Sequence, residues 1–281
     1  MGVTRDDETA GAIEHFEDAA LYDHDYRRRR DDVRFYQTLA AEHGGPVLDL
    51  ACGTGRIMVP LLRDGHTVVG IDHAPAMLAS AAAKIASLAP AERARALLVR
   101  ADLRRFAFRC DPAGPPAAGA RRFGFAVAAF HSVQHLVSNG DLLSFLRCAR
   151  RALAPGGWLA FDVFAPERRF LERDEQRRWD RTAFHDPTTG RRLVYTINHH
   201  FDRRRRTLLM RMYYLPVDGR GRAIGPERVR RLCHRQLGTR EVRSLLARAG
   251  LRLIASWSDF AGGPLRRDDD SEQHIYLAKP R

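Results

Sequence analysis

Through most of the chain, short apolar runs alternate with longer segments whose apolar residues recur every third or fourth position. This is the pattern of strands buried on both faces and joined by crossover helices. The predicted strands are Val47 to Leu50, Thr67 to Ile71, Ala96 to Val99, Phe123 to Phe130 and Trp158 to Phe164. Ile57 to Asp64, Pro75 to Leu88 and Asp141 to Leu153 read as helices, with stops at Gly65 and at Pro155-Gly156-Gly157. Thr239 to Ala249, closed by Gly250, is a further helix, and Leu251 to Trp257 with His274 to Ala278 completes a seven-stranded α/β sheet as a final hairpin.

Between about 166 and 236 the period shortens to strict alternation, in Leu193 to Phe201, Thr207 to Leu215 and Arg228 to Leu237, with turns at Asp202-Arg203 and at Asp218 to Gly221. That is an antiparallel β insertion after the fifth strand. Glu14 to Glu42 reads as helical, with Phe16, Leu21, Phe35, Tyr36, Leu39 and Ala40 apolar, and the residues before it as a loose tail. Asp111 to Arg122 and Gly262 to Asp270 read as surface loops. The implied organisation is a tail and helical cap over 1–45, a nucleotide-binding core over 46–165, the insertion over 166–236, and a closing helix and hairpin over 237–281.

The chemistry gathers at the end of the first strand, in Leu48-Asp-Leu-Ala-Cys-Gly-Thr-Gly-Arg56. A strand, a glycine turn and a helix start together make a corner where a ligand approaches the main chain. The dinucleotide fingerprint needs a third glycine where Met58 stands, and a phosphate loop needs a lysine where Ile57 follows Arg56. What is left is a turn led by Asp49, suited to an ammonium group. A second strand ends at Asp72, suited to ribose hydroxyls.

These residues resemble the class I methyltransferase family, together with Gly70-Ile-Asp72, Pro75-Ala-Met-Leu78, Ala101-Asp-Leu103 and Leu153-Ala-Pro-Gly-Gly157. The resemblance implies a Rossmann-like fold with an N-terminal helical cap, and S-adenosylmethionine as donor with S-adenosylhomocysteine as product. It places Asp49, Ala51, Cys52, Gly53, Gly55 and Arg56 at the donor, with Asp72, His73, Met77 and Phe130. It also sets Asp102 at the adenine amino group and Leu103 against the ring. In related enzymes an N-terminal helix brings a tyrosine near the transferred methyl, which makes Tyr22 the catalytic candidate and Tyr26 a second.

After the fourth strand come Phe130-His-Ser-Val-Gln-His-Leu136. Neither the Asn/Asp-Pro-Pro-aromatic motif of adenine-specific DNA enzymes nor the Pro-Cys of cytosine enzymes is present, and no acid offers a metal ligand at Ala128 to Phe130. His131 and His135 stand four apart, on one face if the segment is helical, but without the glutamate of a zinc motif. Sugar-amine N-methyltransferases, which this segment resembles, set a histidine at the His135 position beside the acceptor. The resemblance therefore implies His135 as base or positioning group, with His131 and Gln134 lining the pocket. In the insertion, His199, Tyr213, Arg230, Cys233, His234 and Arg235 form the pool that faces either the acceptor or, alternatively, a second copy in a homodimer.

Composition changes this picture little. The net charge of +13 comes almost wholly from arginine, spread among acids, with Lys84 and Lys279 as the lysines. No basic stretch interleaves aromatics as a nucleic-acid surface does. Cys52, Cys110, Cys148 and Cys233 show no zinc or disulfide spacing. No apolar run reaches the roughly 20 residues of a membrane span, and the start is polar, so a cytoplasmic protein is expected. The expected function is metal-independent methyl transfer to nitrogen or oxygen of a small-molecule acceptor. A macromolecular acceptor (RNA or peptide) and a catalytically inactive cofactor-binding module stay open as alternatives.

Overall fold

A computed structural model describes residues 3–108, 122–265 and 271–281. The loop expected from Asp111 lies outside them up to residue 121, as do Cys110 and the acidic run Asp268 to Asp270. The strands are β1 (Val47–Leu50), β2 (Val68–Asp72), β3 (Ala96–Arg100), β4 (Phe123–Ala128), β5 (Leu153–Phe164), β6 (Trp179–His185), β7 (Arg192–Asp202), β8 (Thr207–Pro216), β9 (Arg228–Arg235), β10 (Leu251–Trp257) and β11 (Gln273–Pro280). The helices are α1 (Arg5–Gly11), α2 (Ala19–Tyr26), α3 (Asp31–His43), α4 (Met58–Arg63), α5 (Pro75–Ala86), α6 (Pro90–Arg93), α7 (Asn139–Ala152), α8 (Arg168–Leu171) and α9 (Thr239–Arg248).

One sheet has the order β10-β11-β5-β4-β1-β2-β3 and the other β6-β7-β8-β9. In the first, β1 to β5 pair in parallel, and β11 runs antiparallel between β5 and β10. This is the order of the Rossmann-like methyltransferase sheet, as the sequence implied. The chain divides into two compact units, Arg29–Ala165 with Leu237–Arg281, and Met1–Arg28 with Pro166–Gln236.

The larger unit is held by helices layered on its sheet. Every residue of β1 and of β2 is buried, as strands covered on both faces must be. On α7, Leu142, Phe145, Leu146 and Ala149 form one buried stripe at helical spacing, and each fully buried leucine or phenylalanine contributes about 1.5–3 kcal/mol. Ser138 caps this helix by accepting from the Asp141 amide at 3.0 Å. The expected stop at Pro155 to Gly157 lies inside β5. The strand pairs Phe123 with Leu153, then skips to Phe125 with Trp158, so a bulge absorbs the three residues.

In the smaller unit the expected loose tail is instead α1, closed by a capping box in which the Asp7 amide donates to Thr4 Oγ1 at 3.1 Å and the Thr4 amide to Asp7 Oδ2 at 3.2 Å. Acids at this end of the chain serve as counter-ions. Glu14 takes Arg231 of β9, Glu8 takes Arg205 at 2.8 Å and Glu17 takes Arg230 at 2.5 Å. A Cβ on Gly11 would stand 2.5 Å from Cys233 Cβ, so only glycine lets α1 approach β9 this closely.

The single helix expected over Glu14 to Glu42 is broken into a 3-10 turn at Glu14–Phe16, then α2 and α3. Asp18 starts α2 by capping the Leu21 amide at 3.0 Å, and Arg27 to Arg30 lie between α2 and α3. β6 was not anticipated. It is an edge strand, largely exposed, without the alternation that marks its neighbours.

Candidate active site

β1 lies between β2 and β4, with Asp49 opposite Gly70 on one side and Val127 on the other. The direction in which the sheet order grows reverses between β1 and β4, which opens a crevice at their carboxyl ends. Three non-glycine residues there take left-handed backbone: Ala51 (φ 60°) after β1, and Phe130 (φ 58°) and His131 (φ 61°) after β4. Each such residue costs on the order of 1–3 kcal/mol and persists only where its surroundings fix it.

The glycine turn is one half of the site. Gly53 (φ 53°) and Gly55 (φ 80°) adopt backbone that other residues resist. The Gly53 amide donates to Asp72 Oδ2 at 2.8 Å and the Ala74 amide to Oδ1 at 2.8 Å, fixing that carboxylate at the end of β2. Asp49 is 1% exposed, and its Oδ2 is buried without a hydrogen-bond partner. Burial pushes its carboxyl up to about 7, against the pull of Arg56 and with a further push from Asp72. Burial likewise raises the Cys52 thiol well above its usual value, so Cys52 is a neutral filler rather than a nucleophile.

The other donor-side residues are placed as follows. Arg56 reaches α3, where Nη1 donates to Asp32 Oδ1 at 2.8 Å and Nη2 to Oδ2, and its guanidinium lies 4.6 Å from the Phe130 ring centroid. His73 is largely exposed, with Nδ1 3.7 Å from Asp72 Oδ1. Met77 is buried in α5, and Leu103 packs at the margin of the main core. Asp102 is held by Arg104 Nη2 at 2.7 Å and Nε at 2.9 Å, and these hydrogen bonds draw its carboxyl down to about 2 despite partial burial.

The turn after β4 is the other half. Ser132–His135 is one turn of 3-10 helix, and His131 precedes it in the left-handed conformation. The shared α-helical face expected for His131 and His135 is therefore absent, because a 3-10 turn repeats every three residues and His131 is outside it. His131 Nε2 lies 2.8 Å from Gln273 Oε1 and 3.5 Å from Asp162 Oδ2, and burial lowers its pKa although Asp162 opposes this. Gln134 is fully buried. Its Nε2 donates to Phe164 O at 2.9 Å and its Oε1 accepts from the Phe164 amide at 2.6 Å, so the amide expected to line a pocket ties the turn to β5.

Sequence reading passed over Asp162 and Tyr36. Asp162, fully buried in β5, accepts from the Tyr36 hydroxyl and from the Phe130 and His131 amides. The available signal was an acid inside the apolar run Trp158 to Phe164.

The remaining candidates belong to the smaller unit. Tyr22 is buried among His15, Phe16 and Tyr26, with ring centroids at 5.6, 6.1 and 4.8 Å. The Tyr26 hydroxyl lies 3.0 Å from His15 Nε2. The register of the second sheet divides the pool taken from the insertion, since directly opposed residues share a face. His199 pairs with Met210, Met210 with Leu232, and Leu208 with His234, so His199, Arg230 and His234 share one face, while Tyr213, Cys233 and Arg235 share the other. His199 is packed rather than presented. Its Nε2 lies 2.7 Å from Phe170 O, and its ring stacks on Phe170 at 4.4 Å. Tyr213 donates to Asn198 Oδ1 at 3.2 Å beneath the Arg178 guanidinium. Among the described residues no group of three His, Cys, Asp or Glu side chains converges as a metal site.

Comparison with known proteins agrees with this geometry. Residues 47–157 match the family model described as a methyltransferase domain. A putative methyltransferase of Bacillus subtilis, YqeM, is 30% identical over 139 residues, 47% of this chain and half the length of that relative. The CcbJ methyltransferase from Streptomyces caelestis superposes with a TM-score of 0.73 at 20% identity, covering 96% of this chain and 98% of that one. CalS10 from Micromonospora echinaspora, described as an amino pentose methyltransferase with S-adenosylmethionine bound, gives 0.67 at 19% identity, covering 93% and 97%. At these identities the structural likenesses establish the fold.

Proposed function

We propose that the chain, which matches a methyltransferase domain over residues 47–157 and has the Rossmann-like sheet order, is a class I S-adenosylmethionine-dependent enzyme that transfers methyl groups to nitrogen or oxygen of a small-molecule acceptor. The observation that carries this reading is the adjacency of two turns. The glycine turn with Asp49 leaves β1, and the histidine-bearing turn leaves β4, the strand hydrogen-bonded to it. The amino pentose enzyme among the structural neighbours favours a sugar amine as acceptor.

The residues present fit the donor. The buried Asp49 Oδ2 has no partner, and a ligand ammonium would supply one. Asp72, fixed by the Gly53 and Ala74 amides, keeps lone pairs for ribose hydroxyls. A Cβ on Gly53 would meet nothing within 4 Å, which leaves room for a ligand against the main chain. Bound S-adenosylmethionine supplies an activated methyl group on a sulfonium.

The chain's task is then alignment and proton removal. His135 would take the proton from the acceptor or orient its lone pair, with no metal in the step. Tyr22 and Tyr26 of the cap would serve the acceptor side. Of the insertion, His199 and His234 lie on one face of the second sheet and Tyr213 on the other, so one face would serve the acceptor and the other a homodimer contact. Arg56 would act through the Phe130 ring that it covers. Division of labour follows the four segments 1–45, 46–165, 166–236 and 237–281. A cytoplasmic setting accords with this reading, and no described helix is long and apolar enough to cross a membrane.

The test is calorimetry with S-adenosylmethionine, followed by a transfer assay on a panel of amino sugars and hydroxylated sugars, scored by S-adenosylhomocysteine formed. Donor binding with turnover on an amine supports the reading. Uptake of NAD or ATP in place of the donor would end it, and turnover only on RNA, with steep salt dependence, would move it to a macromolecular acceptor.

A further inference from the structure

We propose that Asp162, oriented by the Tyr36 hydroxyl, is a positioning residue that holds the turn from Phe130 to His135 in its left-handed geometry and so sets His135. The inference rests on the reading of His135 as the acceptor-side group. Two successive non-glycine residues, Phe130 and His131, sit at positive φ, a conformation that unsupported backbone leaves. The Asp162 carboxylate supplies the support. Its Oδ1 accepts from the Phe130 amide at 2.9 Å and from the Tyr36 hydroxyl at 2.5 Å, while Oδ2 accepts from the His131 amide at 2.9 Å.

A fully buried carboxylate persists where donors meet it, and here those donors are the turn itself and one phenol. Tyr36 fixes the rotation of that carboxylate from α3. Asp32, one helical turn earlier on the same helix, holds Arg56 of the glycine turn. The helix therefore ties both halves of the site to one rigid element. Methyl transfer depends on alignment, and a displacement of about 1 Å at such a turn costs on the order of 100-fold in rate.

The experiment compares wild type with Tyr36→Phe, Asp162→Asn and the double variant. Affinity for S-adenosylhomocysteine, by calorimetry, falls by less than kcat does, because the change reaches the donor side only through Phe130 and the Arg56 that covers it. Hydrogen-exchange protection of the Phe130 and His131 amides, read by NMR, falls roughly 10- to 100-fold in Asp162→Asn and less in Tyr36→Phe. The ring resonances of His131 and His135 move with it. On the sugar panel kcat falls roughly 100-fold with KM unchanged.

Tyr36→Phe adds nothing further in the Asp162→Asn background, since the tyrosine acts through the carboxylate. Unchanged amide protection alongside a lowered Tm would reduce Asp162 to space-filling and overturn the proposal, as would full additivity of the two variants. If Asp162→Asn fails to fold, Tyr36→Phe carries the same readouts with one hydroxyl removed. Failure of wild type to bind S-adenosylhomocysteine would sink the donor reading instead, and amide protection, measured without ligand, separates the two failures.

Discussion

Replacing Asp49 by asparagine probes the donor corner without changing its shape. Burial lifts this carboxyl from 3.8 to about 7, which at 1.36 kcal/mol per pKa unit is about 4 kcal/mol of cost once the group is ionised. The sign follows from a raised folded pKa. The stability associated with the proton is fully present below the unfolded value of 3.8, and it is lost as pH rises through about 7. Asparagine mimics the protonated acid at every pH. Near pH 4, where both side chains are neutral, Asp49→Asn should be the less stable in urea, by the roughly 1–3 kcal/mol of leaving its NH2 group unmet. Above pH 7 the variant should be the more stable, by up to about 4 kcal/mol less the roughly 1–3 kcal/mol of leaving its NH2 group unmet.

Donor binding should move the opposite way. Without a carboxylate to meet the ammonium, affinity should fall by at least about 3 kcal/mol, some 150-fold, in calorimetry. Wild type at pH 7 should release about half a proton on taking up the donor, seen as a dependence of the heat on buffer ionisation. A stability difference independent of pH, or an asparagine variant that binds the donor as well as wild type, would refute the reasoning.

His135→Ala should lower turnover while leaving S-adenosylhomocysteine affinity near normal; equal loss of both would make the histidine structural. Phe145→Ala removes a fully buried ring from α7 and should cost about 3–5 kcal/mol in denaturant unfolding. Gly55→Ala forces a side chain onto backbone at φ 80° with its Cβ 3.3 Å from Val59 Cγ2, so a loss of about 1–2 kcal/mol with weakened donor binding is expected. Arg56→Met removes the partner of a nearly buried carboxylate. It should destabilise the fold by about 3 kcal/mol, an effect that Asp32→Asn in the same chain should largely relieve, as a double-mutant cycle would report.

The sequence by itself determined what depends on local backbone chemistry. The run Leu48 to Arg56, the acid closing β2 and the glycine stops at Gly65 and Gly250 each specify a turn from within a few residues. Right-handed crossovers limit how these strands can lie side by side, and the sheet itself was implied by the resemblance to the class I methyltransferase family. Strand periodicity located β7, β8 and β9 for the same reason.

Tertiary structure decided everything that required knowing a distant partner. An acid-rich start read as a loose tail until Asp7 and Glu8 proved to be counter-ions of Arg231 and Arg205. Two histidines four apart read as a helical pair until Asp162, some thirty residues on, fixed the backbone between β4 and the 3-10 turn in a left-handed form. The pool drawn from the insertion split in two because register, set by pairing across strands, decides which face each side chain takes. Short-range preferences are written in the order of residues, whereas charge pairing and strain are settled by groups far apart in the chain.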